Sequence, residues 1–194
     1  MRGIWLGKEH VNTISTTKLI ALTAIFGVLT FACGLIRIPV GPVPVTLQTM
    51  AVLLSGLLLK PFDAFLAMIL HLVLKLVLSG EFSLISPSFG FVIAFVAAAP
   101  FLSFLTQKKE GSPKYMIIHI LIATMLIYAI GLPYMAIILR FYLDKKIAVC
   151  QFLTMGMLVF LPGDLLKAAA AWFLATRLRP ILSRVLSTEK KRNS

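Results

Sequence analysis

Turn residues and charges divide this chain into six apolar segments, and that division limits the available folds more than any other feature. The segments run approximately from Lys18 to Ile36, Thr46 to Leu59, Pro61 to Leu78, Pro87 to Thr106, Tyr115 to Tyr142 and Leu161 to Arg179. A membrane-crossing helix needs about 20 mainly apolar residues. The second segment is short unless it begins near Val43, and the fifth carries Gly131 and Pro133, which kink or end helices. Only Lys60, Pro61 and Asp63 interrupt the run from Leu57 to Leu78, the pattern of a tight helical hairpin. Composition agrees: 59% of the 194 residues are hydrophobic and 13% are charged, against about 25% charged in soluble domains. The expected fold is all-α, a polytopic membrane protein built as a six-transmembrane-helix bundle. Residues 144–160 leave two readings open. They form a short helix lying at the membrane interface, or they start the last span near Ile147 with a kink at Pro162.

The formal net charge of +12 raises the question of nucleic acid, and the positions of the charges answer it. With the amino terminus inside, thirteen of the 19 Lys and Arg fall in inner segments and five (Arg37, Lys75, Arg140, Lys145, Lys146) in outer ones, leaving Lys167 at membrane depth. That asymmetry follows the positive-inside rule and places both termini in the cytoplasm. Residues 1–17 then form a cytoplasmic or interfacial segment, 18–180 the six-helix transmembrane domain, and 181–194 a basic cytoplasmic tail against anionic headgroups. The expected location is the cell membrane, crossed several times, with no nucleic-acid partner. Cys33 and Cys150 are too few for a disulfide framework, and lipidation at Cys33 would require losing a whole helix.

The polar signal lies at Pro162-Gly163-Asp164, followed by Lys167, at the head of the last apolar segment. Ionisable groups at membrane depth cost about 2.5–3.5 kcal/mol each on insertion scales and usually serve a function. Three residues apart on a helix, these two are neighbours on one face. Alternating topology puts the starts of helices two, four and six on the outer face, and each start carries Pro with polar residues. Helix two opens with Pro42-Val43-Pro44-Val45-Thr46-Leu47-Gln48, helix four with Ser86-Pro87-Ser88, helix six with Pro162-Gly163-Asp164. Pro suits a first turn, and Ser and Thr are expected to cap the free N–H groups there. Converging helix starts favour an anion or carbonyl oxygen. A small molecule bearing a carboxylate would fit, with Lys167 one turn deeper and Asp164, Thr46, Gln48, Ser86 and Ser88 meeting its polar groups. The competing structural explanation is ordinary caps plus a self-neutralising ion pair. His10 and His119 read as structural, and no acidic, His or Cys group has metal-ligand spacing.

These residues carry a family resemblance. Pro39-Val40-Gly41-Pro42 to Gln48 resembles the "P-x-x-P-x-T-L-Q" signature of BioY, the substrate-binding subunit of biotin transporters, and Pro162 to Lys167 resembles its "P-G-D-x-x-K" motif. Ser86 to Phe91 resembles a degraded "G-P-T-G-G-Y". The resemblance covers roughly Leu19 to Pro180. It implies the substrate-capturing S-component of an energy-coupling-factor transporter: six membrane helices, biotin bound near the outer surface, and no cofactor. It also implies a membrane coupling subunit and two ATPase subunits as partners, although some members share a common module or work alone. No Walker sequence is present here. The family docks its coupling subunit through small residues on helix one; Ala21, Ala24 and Gly27 form such a stripe, and close intramolecular packing explains it equally. The chain departs from the family after helix three, where Lys75 to Phe82 replaces a Gly-rich loop. His71 and Lys75 stand where Tyr and Gly are common. Biotin uptake competes with two other readings, a membrane enzyme using Asp164 and Lys167 as acid and base, and a scaffold whose polar pair fixes helix register. The enzyme reading lacks a nucleophile with an orienting base.

Overall fold

The structure, a computed structural model, describes residues 16–39, 43–79, 84–108, 113–143 and 157–187. Among these are six α-helices and one two-stranded ribbon. The helices are α1 (Thr16–Cys33), α2 (Gln48–Leu58), α3 (Pro61–Ser79), α4 (Phe89–Lys108), α5 (Pro113–Ile137) and α6 (Leu161–Ser187). The ribbon pairs β1 (Arg37–Ile38) antiparallel with β2 (Val45–Thr46), setting Arg37 opposite Thr46. All six expected helices are present, with ends displaced by a few residues, whereas the ribbon is new. The segment 144–156 and its two readings lie outside the described residues.

The α2–α3 hairpin forms as expected. Leu59 and Lys60 separate the helices, and Pro61 takes the first position of α3, where its missing N–H has no intrahelical role. Asp63 follows in that first turn, a favourable place for a negative charge. α5 does not end at Pro133; it runs on to Ile137 and closes in a π-helical turn, Ile138–Tyr142. α6 likewise passes Pro180 and continues to Ser187, beyond the expected end at Arg179.

α2 is the centre of the bundle. Its residues Ala51 to Leu58 are all buried, the state of a helix that is apolar on every side. Packing there is close: a Cβ on Gly56 would lie 2.7 Å from the Ala99 carbonyl oxygen and 3.0 Å from Leu102 Cβ. The small residues Ala98 and Ala99 let α4 approach that far. The last carbonyls of α2, unpaired at any helix end, receive side-chain donors. Ser103 Oγ donates to Leu59 O at 2.6 Å, and Arg179 donates to Leu57 O through Nη2 at 3.0 Å and Nε at 3.3 Å.

The surrounding helices bury one face and present apolar side chains outward. Phe62, Phe65, Val73 and Val77 of α3 and Ile117, Ile118, Leu121, Ile122 and Met125 of α5 are exposed. So broad an apolar surface marks contact with a partner or a membrane. Three helices, Pro61–Ser79, Phe89–Gln107 and Tyr115–Tyr142, are long and apolar enough to cross a bilayer. Buried hydroxyls inside this surface return to their own helices: Thr30, Thr106 and Thr124 donate to the carbonyls of Phe26, Leu102 and Ile120 at 2.7, 2.7 and 2.9 Å. Such local bonds keep these three hydroxyls paired within apolar surroundings.

Candidate ligand cavity

The starts of α2, α4 and α6 lie at the same end of the bundle and surround a cavity of about 260 Å³. Small-molecule sites occupy roughly 300–1,000 Å³, so this one suits a small ligand. Thr46, Gln48, Ser86, Ser88, Asp164 and Lys167 all line it. Six residues separated by up to about 120 positions in the sequence are thus brought to one chamber.

Asp164 and Lys167 are both 8% exposed and form an ion pair, Lys167 Nζ to Asp164 Oδ1, at 2.7 Å. The second carboxylate oxygen accepts a hydrogen bond from the Tyr128 hydroxyl of α5. Tyr128 is 4% exposed, lines the cavity and meets Phe91 edge-on at 6.2 Å between ring centroids. Both oxygens of Asp164 are therefore engaged, yet each retains a lone pair, and Lys167 retains donors beyond the one it shares. The buried group is tied internally and still able to bind.

The other polar residues are held more loosely. Thr46 Oγ1 accepts the Gln48 N–H at 3.4 Å and donates to Gln48 Oε1 at 3.3 Å. The Gln48 amide nitrogen also lies 3.3 Å from His71 Nε2. Capping at α4 departs from expectation. Ser86 and Ser88 spend their hydroxyls on each other at 2.8 Å, and the Phe89 and Phe91 N–H groups bond to the backbone carbonyls of Ser86 and Ser88. The backbone turn already satisfies those donors, so the hydroxyls are left at the cavity wall. Tyr134 ties this turn to α5 by donating to the Leu84 carbonyl.

Several lining residues were not among the expected site residues. Phe91, Val92, Phe95, Ile127 and Phe160 supply its apolar wall. Arg37, exposed at the ribbon, and the half-buried Lys75 of α3 bring two further cations. Neither is paired with a carboxylate among the described residues; the Arg37 Nε donates to Gly34 O at 2.8 Å. The ribbon is what delivers Arg37 to the cavity beside Thr46.

The α1 stripe lies elsewhere. Ala21 is exposed and Ala24 half-buried. Gly27 instead faces α3, where a Cβ would lie 2.9 Å from the Ala67 carbonyl oxygen. Among the described residues no group of His, Cys, Asp or Glu is arranged to hold a metal ion.

A bundle of apolar helices enclosing one polar chamber defines a class, a helical membrane protein of the S-component fold. The likeness is to the crystal structure at 2.1 Å of the S-component for biotin from an ECF-type ABC transporter, with TM-score 0.76 and 24% identity, covering 88% of this chain and 95% of that one. The sequence comparisons are narrower: residues 8–184 match the model of the BioY family, and the chain belongs to that family. Among its relatives are the probable biotin transporter BioY of Bacillus subtilis strain 168, 32% identical over 89% of this chain and 94% of that protein. The probable biotin transporter BioY of Pyrococcus horikoshii is 32% identical over 84% of this chain and 96% of its own length.

Proposed function

We propose that this chain captures biotin at the outer face of the cell membrane as the S-component of an energy-coupling-factor transporter. The observation that carries the reading is the polarity of the cavity. Its buried end holds Asp164, Lys167 and Tyr128, and the exposed Arg37 and half-buried Lys75 also line it. Biotin has matching poles, a neutral ureido ring and an ionised valerate. An ionised group is the more costly of the two to take out of water, so the carboxylate belongs beside Arg37 and Lys75. The ureido ring then lies deep, one N–H donating to Asp164 and its oxygen accepting from Lys167. The apolar ring and chain lie against Phe91, Phe95 and Phe160.

The topology that fits is six spans with both termini cytoplasmic. Lys18, Lys60, Arg177, Arg179 and Arg184 lie at the bundle end opposite the cavity, so the positive-inside rule turns the cavity outward. Uptake would draw on a membrane coupling subunit and two ATPases; the alternative is a solitary permease. The outward part of the α1 stripe, Ala21 with Ala24, is the surface assigned to the coupling subunit, since Gly27 is occupied by α3. The test is titration of purified protein in detergent with biotin. Saturable one-site binding is expected, and a folded chain that binds no biotin overturns the reading.

A further inference from the structure

Behind the cavity wall stands a group that the function above does not use. His71 of α3 is fully buried and does not itself line the cavity, but its Nε2 lies 3.3 Å from the Nε2 of Gln48, which does. The imidazole is covered by Phe95, with ring centroids 6.2 Å apart, and its Nδ1 has no hydrogen-bond partner among the described residues. Gln48 is confined on the remaining sides. Gly34 stands against it so closely that any Cβ there would overlap the amide, and Thr46 Oγ1 donates to its Oε1 at 3.3 Å.

The chemistry of that contact is restrictive. An amide nitrogen only donates, so the facing imidazole nitrogen must offer a lone pair. That requires the neutral ring with its proton on Nδ1. The choice is not free, because a proton on Nε2 would demand the opposite end of the amide. His71 and Gln48 are therefore a locked couple: the position of one proton decides whether Gln48 presents oxygen or nitrogen on the Thr46 side, and Thr46 lines the cavity. An unpartnered buried N–H carries a free-energy penalty, which a site filled by packing alone would avoid with an apolar residue.

We propose that His71 is a positioning residue for the ligand cavity, holding the Gln48 amide with its oxygen on the Thr46 side so that it accepts a hydrogen bond from the bound molecule. The proposal rests on biotin capture for its affinity readout, and one of its tests is independent of biotin. Glutamine at position 71 places an acceptor where Nε2 stands, whereas asparagine reaches only the Nδ1 position. His71→Gln should bind biotin within about threefold of wild type, and His71→Asn and His71→Leu should each lose roughly tenfold, the equivalent of one buried hydrogen bond. In the background of Gln48→Leu, His71→Leu should cost little more, because interacting residues are not additive. A side chain that merely fills space would give additive losses. Equal affinity of the Gln and Asn variants overturns the proposal, and that contrast decides even if His71→Leu fails to fold. Separately, nitrogen-15 NMR of labelled protein, assigned with His71→Gln, should show a neutral His71 protonated at Nδ1. A ring protonated at Nε2 overturns the proposal whether or not biotin binds, and a wild-type chain that ignores biotin counts against the capture reading alone.

Discussion

Tyr128 holds one oxygen of Asp164 and Lys167 holds the other, so a molecule reaching the buried end of the cavity meets a carboxylate already oriented from both sides. Hydrogen bonds to charged groups contribute about 1.5–3 kcal/mol each. Asp164→Asn or Lys167→Ala should therefore weaken biotin binding tenfold or more, while Tyr128→Phe, which leaves both charges in place, should cost roughly tenfold or less. Titration in detergent reads the effect and a melting curve confirms folding; unchanged affinity removes the assignment. Arg37 and Lys75 give a different expectation. Wild type should prefer biotin over its methyl ester, and Arg37→Gln with Lys75→Gln should erase most of that preference. An undiminished preference would place the acid pole elsewhere. Asp164 and Lys167 were legible in the sequence because charge inside an apolar run is costly and therefore conspicuous. Thr46, Gln48, Ser86 and Ser88 were legible because helix starts were. Tyr128 was not, since an aromatic residue in an apolar helix looks like packing until the fold brings a carboxylate from 36 residues away.

At the scale of elements, the short central helix depends on donors from its neighbours. Arg179 and Ser103 satisfy the carbonyls of the buried Leu57 and Leu59. Arg179→Met should leave Leu57 O unpaired at a cost of about 1–3 kcal/mol, seen as a lowered melting temperature in detergent with the biotin contacts untouched. Gly56→Ala should also destabilise, because the added carbon meets backbone rather than a yielding side chain. A melting temperature equal to wild type in both variants would show that α2 is not held in this way. The helices themselves were readable from length and hydropathy, and the α2–α3 turn from Lys60-Pro61. The β ribbon was not, because two-residue strands leave no periodic pattern. With it went Arg37, which that pairing sets opposite Thr46. Pro133 misled in the other direction: it removes one rung of the hydrogen-bond ladder, and the helix runs on regardless, as α6 does past Pro180.

For the whole molecule, the proposed docking surface on the exposed face of α1 lets assembly and capture be tested separately. Ile20, Ala21, Ile25 and Val28 point outward, far from the cavity lining. Ala21→Trp or Ala24→Trp should abolish co-purification with a co-expressed coupling subunit and reduce uptake by proteoliposomes, with biotin affinity of the isolated chain unchanged. Retained co-purification would move the docking surface off this face. Uptake equal with and without the energising module would favour the solitary permease. The motifs made family membership readable, whereas the division of the small-residue stripe between α3 and the exterior emerged only from the packing around Gly27.

The brevity of α2 has one more consequence. Eleven residues rise only about 16 Å, roughly half the thickness of bilayer hydrocarbon. Were Lys60 to lie at the inner boundary, as the proposed topology has it, Gln48 would stand about that far above it. On the proposed topology, a ligand held beside Gln48 would have little more than the length of α2 between it and the inner boundary.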